Sequence, residues 1–119
     1  MSVKEIDISM PRLDYKIITL SIKENGHNVE LGENDLLFMT VSKSPNCNYE
    51  FQKSLGNGIT YNSTVQKYFI TITSEDTKDL IYEYDYGYDI TIYYDGNKPK
   101  QKIIGKFTIS DKYTVNEVV

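Results

Sequence analysis

Few side chains in this sequence could take part in a reaction, and they are scattered. His27 is the single histidine and Cys47 the single cysteine. That leaves little material for a zinc site or a nucleophile–histidine triad. His27 follows the Asn25-Gly26 turn and is expected at the surface. Cys47 lies beside a proline turn and reads as a spare thiol. Asp76, Asp79, Asp85, Asp89 and Asp95 could together suggest calcium. They lack the spacing of an EF-hand loop, and Asp89 falls within a strand pattern, so solvated carboxylates are expected. Gly56-Asn57-Gly58 is not followed by Lys-Ser/Thr, so it is no phosphate loop. Asn62-Ser63-Thr64 is a formal glycosylation sequon, with meaning only in a secreted eukaryotic setting. No catalytic residue, cofactor or metal ion is expected.

The chemistry that remains is that of contact. Eleven residues are tyrosine and none is tryptophan. A tyrosine on a sheet face can stack on a sugar ring or anchor a protein interface. Many of these tyrosines sit at alternating positions and fit core rows. Tyr61, Tyr84, Tyr93 and Tyr94 are the ones expected to be exposed and interface-forming. Charge is also unevenly placed. Glu75 to Asp95 holds seven acidic residues and one lysine, whereas Gly96 to Ile109 holds four lysines and no acid. Cross-strand pairing within one hairpin accounts for this, each pair contributing under about 1 kcal/mol. Alternatively, the surface meets an oppositely charged neighbour. Nucleic acid is not expected on Lys98, Lys100, Lys102 and Lys106, because the nearby carboxylates would repel phosphate.

The elements that must position these groups are strands. With 119 residues and a net charge of −4 the chain fits one domain. A domain of this size hides roughly two-thirds of its unfolded surface, enough to fold without disulfide or metal. One cysteine allows no internal disulfide. No apolar run reaches the roughly 18 to 20 residues of a membrane-spanning helix. The N-terminus lacks the apolar core of a signal peptide, so synthesis in the cytoplasm is expected.

The clearest element is a hairpin over Tyr82 to Ile109. Tyr86, Tyr88, Ile90 and Ile92 share one face; Ile103, Gly105, Phe107 and Ile109 share the matching face of the return arm. Asp95-Gly96 signals the turn, and Pro99 argues for a connection of about four to six residues. Gly105 on the inner face allows a backbone or ring to approach closely. Further rows are Ile18, Leu20 and Ile22; Leu37, Met39 and Val41; Tyr49 and Phe51; and Tyr68, Ile70 and Ile72. Phe38 falls outside the alternation. Val29 to Leu31 reads as a short strand, and residues 54–64 as a Gly/Asn-rich loop. Ser74 reads as the N-cap of one helical turn that carries Leu80 back to the core. Two further segments could be arms or edge strands, and are expected to form an interface by pairing with a neighbouring chain: residues 1–14, with Val3, Ile6 and Ile8, and residues 110–119, with Val115 and Val118. About seven short strands separated by turn signals predict an all-β antiparallel sandwich or barrel rather than alternating βαβ units.

The stretch SEDTKDLIYEYDYGYDI resembles the corner before the penultimate strand of immunoglobulin-type sandwiches. By that resemblance Leu80 plugs the core, and Tyr86 or Tyr84 supplies a hydroxyl that bonds back to the turn. The wider pattern adds Tyr86-Gly87-Tyr88-Asp89-Ile90, a polar loop and Gly105-Lys106-Phe107-Thr108-Ile109. It is similar to the small immunoglobulin-like domains of phage virion proteins, such as the N-terminal domain of upper baseplate proteins. The resemblance covers about residues 15–110. It implies a non-enzymatic structural component of a phage particle, present in repeated copies or as a homo-oligomer against other virion proteins. From the residues themselves, no membrane and no nucleic-acid partner is expected. Baseplate proteins of that type continue into a stalk, whereas here ten residues, SDKYTVNEVV, follow the hairpin. A baseplate or tail adaptor, or a capsid decoration protein, is therefore expected. The competing expectation is a carbohydrate-binding or adhesion module on the same fold.

Overall fold

The structure, a computed structural model, describes residues 2–44, 48–81, 84–95 and 98–110, with the backbone alone for 2–5 and 98–101. Cys47, Gly96 and the C-terminal segment with Val115 and Val118 lie outside the described residues, as does the side chain of Val3.

The protein is all-β. In chain order the strands are β1 (Ser2–Glu5), β2 (Ile8–Pro11), β3 (Lys16–Leu20), β4 (Lys23–Glu24), β5 (His27–Asn28), β6 (Leu36–Ser42), β7 (Tyr49–Leu55), β8 (Gly58–Asn62) and β9 (Lys67–Ile72). One helical turn, α1 (Ser74–Thr77), precedes β10 (Asp85–Tyr94) and β11 (Lys98–Ser110). Nine strands form one sheet in the order β1-β11-β10-β6-β7-β8-β9-β3, with β2 also paired to β11. This sheet curls until it is nearly closed into a barrel. The small β4–β5 hairpin stands apart from it.

β10 is the central strand, antiparallel to β6 on one side and β11 on the other. Its inward row of Tyr86, Tyr88, Ile90 and Ile92 is buried. Leu37, Met39 and Val41 join it from β6, and Phe107 and Ile109 from β11. Ile59, Tyr68, Ile70 and Ile72 close the core from β8 and β9. Phe51 and Phe107 meet edge to face at 5.8 Å, the arrangement that ring quadrupoles favour. Phe38 lies on the outer face, where its ring meets Tyr93 edge-on at 6.1 Å.

Several local readings are corrected. Ladder pairing with β11 adds β1 and β2 to the expected set of about seven strands. The supposed loop over 54–64 contains β8. Gly56 and Gly58, both at positive φ, turn the chain sharply there, and Gly56 N–H bonds the Ile59 carbonyl at 3.0 Å. After Asn25-Gly26 the strand is His27–Asn28 rather than Val29 to Leu31. Positive φ at both turn residues is the geometry that folds a two-residue hairpin back at once. Pro99 is not in a loop: it lies within β11 opposite Tyr93, next to a register shift. The N-cap of α1 is Thr73, not Ser74; the Thr73 N–H donates to Asp76 Oδ2 at 2.8 Å. Asp76 also binds Lys53 Nζ at 2.6 Å. Leu80 is buried, and the Ile81 N–H donates to the Tyr86 hydroxyl at 2.8 Å. Tyr86 rather than Tyr84 thus ties the corner.

Candidate functional site

Among the described residues the sheet does not close between β2 and β3. These strands are consecutive in the chain, yet each pairs away from the other: β2 with β11, and β3 with β9. The cause lies in the turn between them. The Leu13 N–H donates to Thr77 Oγ1 at 2.9 Å, and Arg12 Nη1 to the Lys78 carbonyl at 3.0 Å. Held on α1 in this way, the two strands splay like the arms of an opened hairpin.

The splayed strands leave a cleft of about 660 Å³, within the range of ligand and peptide sites. Its floor is Tyr88, Ile90, Ile92 and Ile103, and its walls include Ile6, Ile8, Ile18 and Leu20. Ile18 and Leu20 point toward the core, as their alternation requires, but remain half-buried for want of a neighbour across the gap. Ile6 is 42% exposed and Ile17 is 51% exposed. The charged groups of the lining are Lys16, Lys23 and Lys102; no carboxylate lines it. Among the described residues no ladder pairs the outer edge of β3. An edge of this kind presents unpaired backbone donors and acceptors.

The N-terminal segment forms the opposite wall by a specific arrangement. Between β1 and β2 the chain rises over Gly105. A Cβ at Gly105 would overlap the Ile6 carbonyl and lie 2.9 Å from the Tyr88 ring. The Ile6 N–H donates to the Ile104 carbonyl at 2.8 Å, and the Tyr88 hydroxyl donates to the Ile6 carbonyl. The Lys106 N–H is taken by Asp7 Oδ1 at 3.0 Å. The Ile6 N–H, the Ile6 carbonyl and the Lys106 N–H at the kink each have a partner. Burial, with Asp7 adding to it, pushes the Tyr88 hydroxyl up to about 12.

A second, shallower groove lies on the outer face of β6 and β10, with Phe38, Tyr93, Asp89, Thr91, Gln52 and Lys102 in its lining. Gln52 Nε2 donates to Thr40 Oγ1 at 3.0 Å, and Thr91 Oγ1 to Asp89 Oδ1 at 3.1 Å.

The four tyrosines singled out from the sequence do not form one patch. The Tyr61 ring is tilted against that of Tyr68, with centroids 4.7 Å apart, and Tyr61 and Tyr94 pack against the core. Burial pushes the Tyr94 hydroxyl upward, with Glu24 adding to it. Tyr93 is half-buried beside Phe38. Tyr84 is 39% exposed and tilts over Tyr86 at the corner. Of the four, Tyr84 alone is exposed, and only partly, while Tyr61, Tyr93 and Tyr94 are half-buried. Ile6 and Ile8 both line the cleft, while Val3 sits in β1 opposite Lys102. Lys102 and Lys106 stand opposite Thr91 and Gly87 rather than opposite carboxylates. Among the described residues no three His, Cys, Asp or Glu side chains converge as a metal site.

The walls of the cleft on β3 were not singled out as a site, because Ile18 and Leu20 look like any core row. One signal was present: Ile17 is apolar where alternation calls for a polar residue.

No protein-family model matches the chain, and no curated protein matches it.

Proposed function

We propose that this protein is a non-enzymatic assembly component whose open seam accepts an extended β-strand from a protein partner. The observation that carries this reading is the apolar cleft between β2 and β3, bounded by a strand edge that no ladder pairs among the described residues. A strand laid there would bond the free edge and place alternate side chains on Ile90, Ile92 and Ile103. The pairing supplies affinity, and the floor supplies the choice of side chains.

The setting we propose is a phage particle, as a baseplate or tail adaptor or a capsid decoration protein. The similarity over residues 74–109 to immunoglobulin-like virion domains supports it. So does the Tyr86 bond to the corner after Leu80, a feature such sandwiches use. Fold by itself does not fix function; the seam is what makes an assembly role specific.

A second reading, a carbohydrate-binding module, draws on the outer groove. Phe38 and Tyr93 offer ring surface there, beside the polar Asp89, Thr91 and Gln52.

One set of measurements separates the two. Purified protein is panned against a display library of randomised short peptides and applied to a glycan array. Enrichment of peptides with alternating aliphatic residues is expected, with their binding lost in Ile18→Lys. Absence of such enrichment, or equal binding to Ile18→Lys, would overturn the strand-accepting reading. Glycan binding abolished by Tyr93→Ala would establish the second.

A further inference from the structure

The seam's occupant can be named. We infer that it is residues 111–119 of a second copy of this chain, an inference that rests on the strand-accepting reading above.

Three observations converge on this segment. Its sequence, DKYTVNEVV, alternates Tyr113, Val115 and Val119 on one face with Thr114 and Asn116 on the other. Glu117 interrupts the apolar row and Val118 the polar one. A half-buried strand has this alternation, and Tyr113, Thr114, Val115, Val118 and Val119 are strand formers. The apolar row suits the floor of Ile90, Ile92 and Ile103. Charge agrees as well. The cleft carries Lys16 and Lys102 and no carboxylate. The segment brings Asp111 and Glu117 against one lysine, Lys112. Finally, extended chain covers about 3.3 Å per residue, so the segment is long enough to run beside all of β3.

Topology decides between the chain's own copy and a neighbour's. β11 ends at Ser110, opposite Pro11, the last residue of β2. The order across this end of the sheet is β11, β2, the gap, then β3. The β2–β3 connection already spans the gap and is pinned on α1 by Arg12 and Leu13. For its own tail to enter the gap, the chain would have to pass over β2 and cross that connection at the same end. Connections in folded domains avoid such crossings. A strand from a second copy meets no such barrier, because nothing ties it to this Ser110. Exchange of terminal strands between identical chains is a low-cost route to self-association.

The test uses the full chain and two variants, followed by sedimentation and native mass spectrometry. Val115→Asp spoils the donor strand; Ile18→Lys spoils the acceptor seam. The wild type is expected to self-associate with rising concentration, and each variant alone to be monomeric. Mixing the two is expected to restore a one-to-one pair, because each keeps the half that the other lost. Circular dichroism verifies folding. Should Ile18→Lys unfold, Ile6→Lys at the more exposed wall serves in its place. A wild type that stays monomeric at its solubility limit would overturn the inference, as would a mixture that stays monomeric or self-association untouched by both variants. If the peptide library still selects strands on the seam while the mixture stays monomeric, the strand-accepting reading stands and the occupant is another protein. If neither occurs, both fall.

Discussion

Tyr88 joins three features of the fold in one side chain. Its ring forms part of the cleft floor, its edge faces Gly105, and its hydroxyl holds the Ile6 carbonyl. Burial and Asp7 together keep its proton on, up to about 12. An unfolded chain loses the same proton near 10. Between these two values the folded state binds more protons than the unfolded one, so stability falls as pH rises. Tyr68 and Tyr94 are shifted upward too, both chiefly by burial, and act in the same direction. Denaturant melts from about pH 9 to about pH 12 should show this decline. Tyr88→Phe should make the decline shallower. It should also lower stability at neutral pH by about 1 kcal/mol, through the bond lost at Ile6.

At the scale of the element, the N-terminal segment depends on a single missing side chain. β1 and β2 run parallel to β11 in two short stretches, and the kink between them fits only because residue 105 has no Cβ. Gly105→Ala must push the Ile6 backbone away from β11 and displace the Tyr88 ring. We expect a loss of about 2–3 kcal/mol, as for overpacked cores. Hydrogen exchange should become faster across residues 2–10, with the β10–β6 ladder retained. Unchanged exchange there would mean that the segment does not rely on this crossing. The short helical turn is an element of another kind. Its four residues are held by Asp76, which caps Thr73 and pairs with a mostly buried Lys53. Through Thr77 and Lys78 it fixes the turn that splays β2 from β3.

Across the whole molecule, protection should follow position in the sheet. Among the described residues β10 is paired on both sides, whereas β3 is paired on one. In dilute protein the amides of β10 should exchange slowest and those of β3 much faster, since local opening follows packing and pairing. At concentrations where the protein self-associates, β3 should gain the most protection. No gain in β3 would place the contact elsewhere.

Much of this architecture was legible from period-two patterning. The rows Tyr86 to Ile92, Leu37 to Val41 and Tyr68 to Ile72 read as inward faces and are inward faces. A strand's side chains alternate whatever its partner is, so burial is written locally. Gly105 was legible for the same reason, as a gap in an apolar row. Pairing partners are not local. Nothing in residues 1–14 distinguishes an edge strand from a free arm, and nothing in Gly58 to Asn62 distinguishes a loop from a strand that turns the sheet's corner. The seam is less local still. Ile18 and Leu20 have the pattern of an ordinary core row, and the pinning of Arg12 and Leu13 onto the helical turn leaves that row, among the described residues, without a strand across the gap. Residue order determined which faces are apolar; the three-dimensional arrangement decided which of them stays open, because closure depends on contacts between segments some 65 positions apart.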